Sequence, residues 1–128
     1  MAYTTIDDPT AYFQTKIYSG TGSDLSLTFD GNSNMQPDKV WIKRRNDSGN
    51  HFLWDSVRGV NAALVPNDKD AEDTSGESTN YFDSFDSNGF TVGGGGYTNT
   101  NASSSTYVSW SWKAGTTGSG TTTGSGTG

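Results

Sequence analysis

Short stretches of alternating apolar and polar residues, separated by clusters of Gly, Asn, Asp and Ser, run along most of this chain. Residues 24–30 alternate cleanly: Leu25, Leu27 and Phe29 share one face, Ser26 and Thr28 the other, which is the period of a half-buried strand. Residues 12–18 are rich in β-formers with less regular alternation, and the turn cluster at 20–23 predicts that the two stretches form a hairpin. Residues 31–37 read as a loop. Val40 and Ile42 then share one face while Trp41 and Lys43 share the other; 46–50 is a polar turn, and 51–57 reads as the returning strand of a second hairpin. Residues 60–65 fit either a short strand or a helical turn, ended by Pro66. Residues 82–85 and 90–92 flank Asp86-Ser87-Asn88-Gly89, whose Asn-Gly pair is a strong hairpin signal. The last strand covers 107–112. Val108, Trp110 and Trp112 share one of its faces, and their bulk predicts that this face packs in the core, with Tyr107, Ser109 and Ser111 opposite.

Helix is nearly excluded. No long stretch carries a 3.6-residue period, and only Asp8-Pro9, an N-cap followed by proline at the first position, predicts a single helical turn. Short strands with frequent turn signals predict an all-β fold, an antiparallel β-sandwich or jelly roll, as one domain over residues 1–114. Residues 115–128 are only Gly, Ser and Thr, with the hexad Thr-Thr-Gly-Ser-Gly-Thr in tandem at 116–121 and 122–127. No apolar side chain there offsets the entropy of ordering the backbone, so an extended or disordered linker to further structure is expected.

Composition makes the core an aromatic one: six Phe, six Tyr and four Trp stand beside few aliphatic residues. Leu, Ile, Val and Phe are sparse enough to suggest disorder, but the net charge is only −6 and the Trp and Tyr residues supply the missing burial. The core is thin, so contacts with neighbouring subunits are expected to help stabilise it. The absence of cysteine excludes disulfides and thiolate metal sites. Eight basic residues against fourteen acidic ones argue against nucleic acid, and the cluster Lys43-Arg44-Arg45 is too small to reverse that. No apolar run is long enough for membrane insertion as a helix. The opening Met-Ala-Tyr-Thr-Thr lacks the basic and apolar regions of a signal peptide, so work outside a cell would require lysis or a specialised assembly route.

Residues able to carry chemistry are few. His51 is the single histidine, and a half-buried strand residue is the simpler reading than a Ser–His–Asp arrangement. Asp68, Asp70, Glu72 and Asp73 resemble the start of a calcium loop, but the sixth and twelfth positions hold Asp73 and Thr79 instead of Gly and Glu; a solvated acidic loop is expected. Asp55, Glu77, Asp83 and Asp86 supply carboxylates for glycoside hydrolysis only if the fold converges two of them, whereas turns collect aspartate anyway. The four-glycine run at 93–96 lacks the lysine and helix of a phosphate loop; it reads as a loop or a close backbone approach, and no cofactor is expected. Trp41 lies opposite Val40 and Ile42, which makes it, with Tyr97, the candidate for an exposed binding aromatic. Trp54, Asp55 and Arg58 close a strand, and Asp55 is expected to pair with Arg58 and pin the corner before Gly59.

Four segments stand out in order: Lys39-Val40-Trp41-Ile42-Lys43-Arg44-Arg45, Phe52-Leu53-Trp54-Asp55-Ser56-Val57-Arg58-Gly59, Phe85-Asp86-Ser87-Asn88-Gly89-Phe90-Thr91-Val92-Gly93, and Tyr107-Val108-Ser109-Trp110-Ser111-Trp112-Lys113-Ala114-Gly115. In this order they resemble a domain of unassigned activity found in structural proteins of tailed bacteriophages, marine ones in particular. The opening from Tyr3 to Tyr18 looks like the start of such proteins as well. The resemblance implies a concanavalin-A-like sandwich on a virion, without catalytic residues to carry over. It implies a non-enzymatic structural protein assembled in the host cytoplasm. The expected role is an N-terminal docking module of a tail fibre, spike or head-surface appendage, with other virion proteins as partners and, by analogy with fibres, a trimeric state. A glycan-binding host-attachment module and a capsid decoration protein are the alternatives.

Overall fold

The computed structural model describes residues 7–74, 81–94 and 99–114. Residues 115–128, where the linker is expected, Tyr97, Glu77 and the segment before Asp7 lie outside them. The described chain is all-β except for one 3-10 turn, Pro9–Ala11. Asp8 caps that turn as the sequence predicts: its carboxylate accepts from the Thr10 N–H at 2.9 Å and from the hydroxyls of Thr10 and Ser33, both at 2.6 Å.

Seven strands follow: β1 (Phe13–Ser19), β2 (Leu25–Thr28), β3 (Lys39–Arg44), β4 (His51–Asp55), β5 (Ser84–Asp86), β6 (Gly89–Val92) and β7 (Thr106–Trp112). They form two antiparallel sheets, a four-stranded one in the order β1-β7-β3-β4 and a three-stranded one in the order β2-β6-β5. A single core joins the two, the arrangement of a β-sandwich. Its centre is a run of rings: Phe52 stacks on Trp54 at 5.7 Å, Trp54 on Phe82 at 5.1 Å, and Phe82 on Phe90 at 5.6 Å. The run leads from β4 in one sheet to β6 in the other, and each such pair adds about 0.5–1.5 kcal/mol beyond the area it buries.

The β3–β4 and β5–β6 hairpins form where the local turn signals place them. Gly89 closes the second with φ +137°, and a Cβ there would run into the Leu27 carbonyl oxygen, so only glycine fits. Residues 60–65 contribute isolated bridges, Leu53 with Leu64 and Ala63 with Asp73.

The expected hairpin of the first two strands does not form. β1 pairs with β7 and β2 with β6, so residues 20–24 cross between sheets. Long-range bonds hold this crossing. Gly20 N–H donates to the Ser105 carbonyl at 2.8 Å and Gly22 N–H to the Asn101 carbonyl at 2.9 Å. Buried Asn101 ties the rest, accepting from Thr21 N–H at 2.9 Å and donating to the carbonyls of Ser23 at 2.6 Å and Gly93 at 3.0 Å.

The core face of β7 is also the opposite of the expected one. Tyr107, Ser109 and Ser111 are buried, while Val108, Trp110 and Trp112 lie on the outer face. Register gives the reason. Ser111 and Ser109 are the partners of Val40 and Ile42, and residues opposite each other on neighbouring strands share a face. Once Val40 and Ile42 enter the core, the two serines follow. Tyr107 compensates in bulk, stacking on Tyr18 at 5.1 Å; its hydroxyl accepts from Ala102 N–H at 2.9 Å, and that of Tyr18 donates to the Thr100 carbonyl at 2.7 Å.

Candidate functional site

The outer face of the four-stranded sheet carries a row of large side chains that the register sets side by side. Phe13, Trp112 and Lys39 are successive partners across β1, β7 and β3, and Trp110, Trp41 and Leu53 across β7, β3 and β4. Phe13 is 40 % exposed and Ile17, four residues further on the same face, is 64 % exposed; the three tryptophans are half-buried. Phe13 and Trp112 lie 5.2 Å apart, and Trp41 meets Trp110 edge-to-face at 6.3 Å and 74°. These are direct cross-strand pairs, which bring side chains closest.

Trp41, Trp110, Trp112 and His51 line an open groove of about 280 Å³. His51 starts β4, diagonal to Trp41, and its Nδ1 accepts from the Trp41 indole N–H at 3.0 Å. The imidazole is therefore neutral with its proton on Nε2. Partial burial, and then Lys43, hold its pKa below the ordinary value. The same bond takes up the nitrogen that would face an aspartate in a nucleophilic triad. Lys39 Nζ sits over the Trp112 ring at 4.6 Å and over Trp41 at 5.9 Å, the geometry of a cation–π contact.

The other candidates fall elsewhere. Asp55 and Arg58 form the expected corner: Arg58 Nε donates to Asp55 Oδ2 at 2.6 Å, and the N–H groups of Val57 and Arg58 donate to Oδ1 at 3.2 and 2.9 Å. Burial works to raise the Asp55 pKa, but the Arg58 N–H and guanidinium hold it below the ordinary value. Trp54, next in the strand, points the other way and is fully buried in the core. Arg58 reaches further than the sequence suggested, to Glu72 Oε2 at 2.5 Å, so it anchors the acidic loop to the corner. Asp68 and Asp70 are exposed, and among the described residues no three acidic or histidine side chains converge as metal ligands. Asp86 is occupied in its own hairpin by the hydroxyls of Ser84 at 2.6 Å and Thr91 at 2.9 Å, on the other sheet from Asp55. Asp83 is exposed, and its pKa is raised by partial desolvation and by Asp24.

Sequence reasoning found Trp41 as an outward aromatic but put Trp110 and Trp112 in the core, and it passed over Phe13 and Lys39. The signal lay in the two alternating segments, 39–44 and 107–112, whose tryptophans meet only if β3 and β7 are neighbours. No curated protein and no solved structure matches this chain. Residues 8–128 match the family described as a domain of unknown function, DUF7483, and the chain belongs to that family.

Proposed function

We propose that this domain is a non-catalytic structural module of a tailed-bacteriophage virion, a concanavalin-A-like sandwich in a tail fibre, spike or head-surface appendage, with the outer aromatic face as its working surface. The observation that carries the reading is that face: Phe13, Trp112, Trp110 and Trp41 stand contiguous on the outside of a sheet whose other side already has a complete core. Aromatic side chains left outside a core are characteristic of recognition surfaces. The order of sequence motifs supports the virion setting, and the occupied carboxylates Asp55 and Asp86 support a binding role over hydrolysis. Assembly would take place in the host cytoplasm, with other virion proteins and further copies of the chain as partners. An electron-microscopy reconstruction of the parent particle tests this reading, which requires density for the sandwich at the particle surface. Particles lacking the domain would end it.

A second reading, host attachment through a glycan, is favoured by the groove itself. Three indoles and an imidazole around about 280 Å³ form a concave apolar site of near-ligand size, with the Lys39 ammonium over two of its rings.

A further inference from the structure

We propose that the groove takes a pyranose ring bearing a carboxylate, so that the ligand is an acidic saccharide. This rests on the attachment reading and assigns it a ligand class. The assignment follows from the donors that the lining residues carry and from the charge of Lys39 over two of their rings. His51 Nδ1 is used by Trp41, which leaves Nε2–H as a donor. Among the described residues nothing accepts from the indole N–H groups of Trp110 or Trp112, and neither nitrogen is enclosed in the core. Lys39 is the fourth donor, and it carries a full charge.

No carboxylate neutralises Lys39 among the described residues. Its cross-strand partner Asp55 is turned to Arg58, engaged through both oxygens. Lys43, the next cation on that face, spends its ammonium on the carbonyls of Arg44 at 2.6 Å and Asp47 at 3.2 Å. The groove thus has almost wholly apolar, aromatic walls with no lining carboxylate, and one unpaired cation, Lys39, seated over two of their rings. A complementary ligand presents an apolar ring face, acceptors at its edge and one negative charge. A pyranose offers C–H groups on its face and oxygens around its rim, and a carboxylate on the ring supplies the counter-charge for Lys39. A neutral sugar would satisfy the walls and leave the cation unpaired. The 74° angle between Trp41 and Trp110 makes a corner that suits a single ring better than a broad, flat protein surface.

The test is titration of the 128-residue protein with a galacturonic acid trisaccharide and with the matching galactose trisaccharide, read by the indole N–H resonances of the four tryptophans. The expected result is binding of the acidic ligand at least about tenfold tighter, with shifts at Trp41, Trp110 and Trp112 and none at buried Trp54. Lys39→Met should erase the preference, and Trp110→Ala should abolish binding of both ligands. Because the unmodified protein reports through its own resonances, the comparison of the two trisaccharides does not depend on either variant folding. Equal affinity for the two trisaccharides would overturn the acidic assignment and leave the attachment reading standing. No shift with either would overturn both, leaving the virion role to the reconstruction. A concentration-dependent dimer seen by sedimentation and lost in Trp110→Ala would make a second copy of the chain the occupant, and would also overturn the proposal.

Discussion

The indole N–H of Trp41 reaches from β3 to Nδ1 of His51 on β4, 3.0 Å away, and so ties the wall of the aromatic groove to the single histidine of the sequence. A protonated imidazole has no lone pair at Nδ1 and cannot accept this bond. Partial desolvation and the nearby Lys43 both disfavour the charged ring, which lowers the folded-state pKa below the ordinary 6.5.

The sign of the pH effect follows. Above about pH 6.5 the imidazole is neutral folded and unfolded, and its contribution is fully present. As pH falls, the unfolded chain takes up the proton first, so stability drops until the pH passes below the folded-state value. Thermal melts at about pH 7.5 and 5.5 should show a larger loss in the wild type than in His51→Gln, whose amide oxygen can still accept from Trp41 without titrating. The bond itself is worth about 1 kcal/mol. Identical pH dependence in the two proteins would remove His51 from this role.

Arg58→Ala should lower stability by about 1 kcal/mol, the value for a partly exposed ion pair, since Arg58 and Asp55 side chains are 25 % and 27 % exposed. The denaturant midpoint reports this loss. The variant should also be less acid-sensitive. In the wild type the depressed Asp55 pKa contributes stability above the ordinary 3.8 that is lost as pH falls through the folded value. Without the guanidinium that increment shrinks, because only the backbone N–H groups of residues 57 and 58 still act against burial. Unchanged stability in Arg58→Ala would mean that the backbone N–H groups alone hold the corner.

What was legible in the sequence was local. The Asp8 cap, the turn at Asp86–Gly89, the β3–β4 hairpin and the Asp55–Arg58 corner each depend on residues a few positions apart. Pairing between distant segments was not legible. The turn signal at 20–23 is real, but a turn can equally carry the chain from one sheet to the other, and the bonds that decide it come from residues 101 and 105. The same holds for the groove. Alternation in β7 established two faces without saying which is inner, and the bulk of Trp110 and Trp112 favoured the wrong one. Their placement depends on β7 lying against β3, where Val40 and Ile42 take the interior.

Asn101 is the residue whose loss should cost most for its size. It is buried and holds Thr21 N–H, the Ser23 carbonyl and the Gly93 carbonyl with one side chain. Asn101→Ala orphans all three groups, and destabilisation of about 2–4 kcal/mol is expected. Asn101→Asp keeps the shape but presents acceptors to two carbonyls, so it should be no better. Hydrogen exchange would localise the effect, with amides 20–23 losing protection ahead of those in β3 and β4. Uniform loss of protection in all three regions would show that the crossing opens only with the whole domain.

The two faces of β7 make opposite predictions. Ser111 is fully buried, and its hydroxyl has no partner among the described residues. Burying an unbonded hydroxyl costs free energy, so Ser111→Ala should be neutral or stabilising by up to about 1 kcal/mol. Phe82, stacked between Trp54 and Phe90, should behave as a core residue, and Phe82→Ala should cost about 3–5 kcal/mol. Trp110→Ala removes a larger side chain, but a half-buried one on the outer face, and should cost only about 1–2 kcal/mol. Urea midpoints of the three variants settle the order. If Trp110→Ala proved as damaging as Phe82→Ala, the outer face would be covered in solution, and the sheet would have a second packed side instead of an open groove.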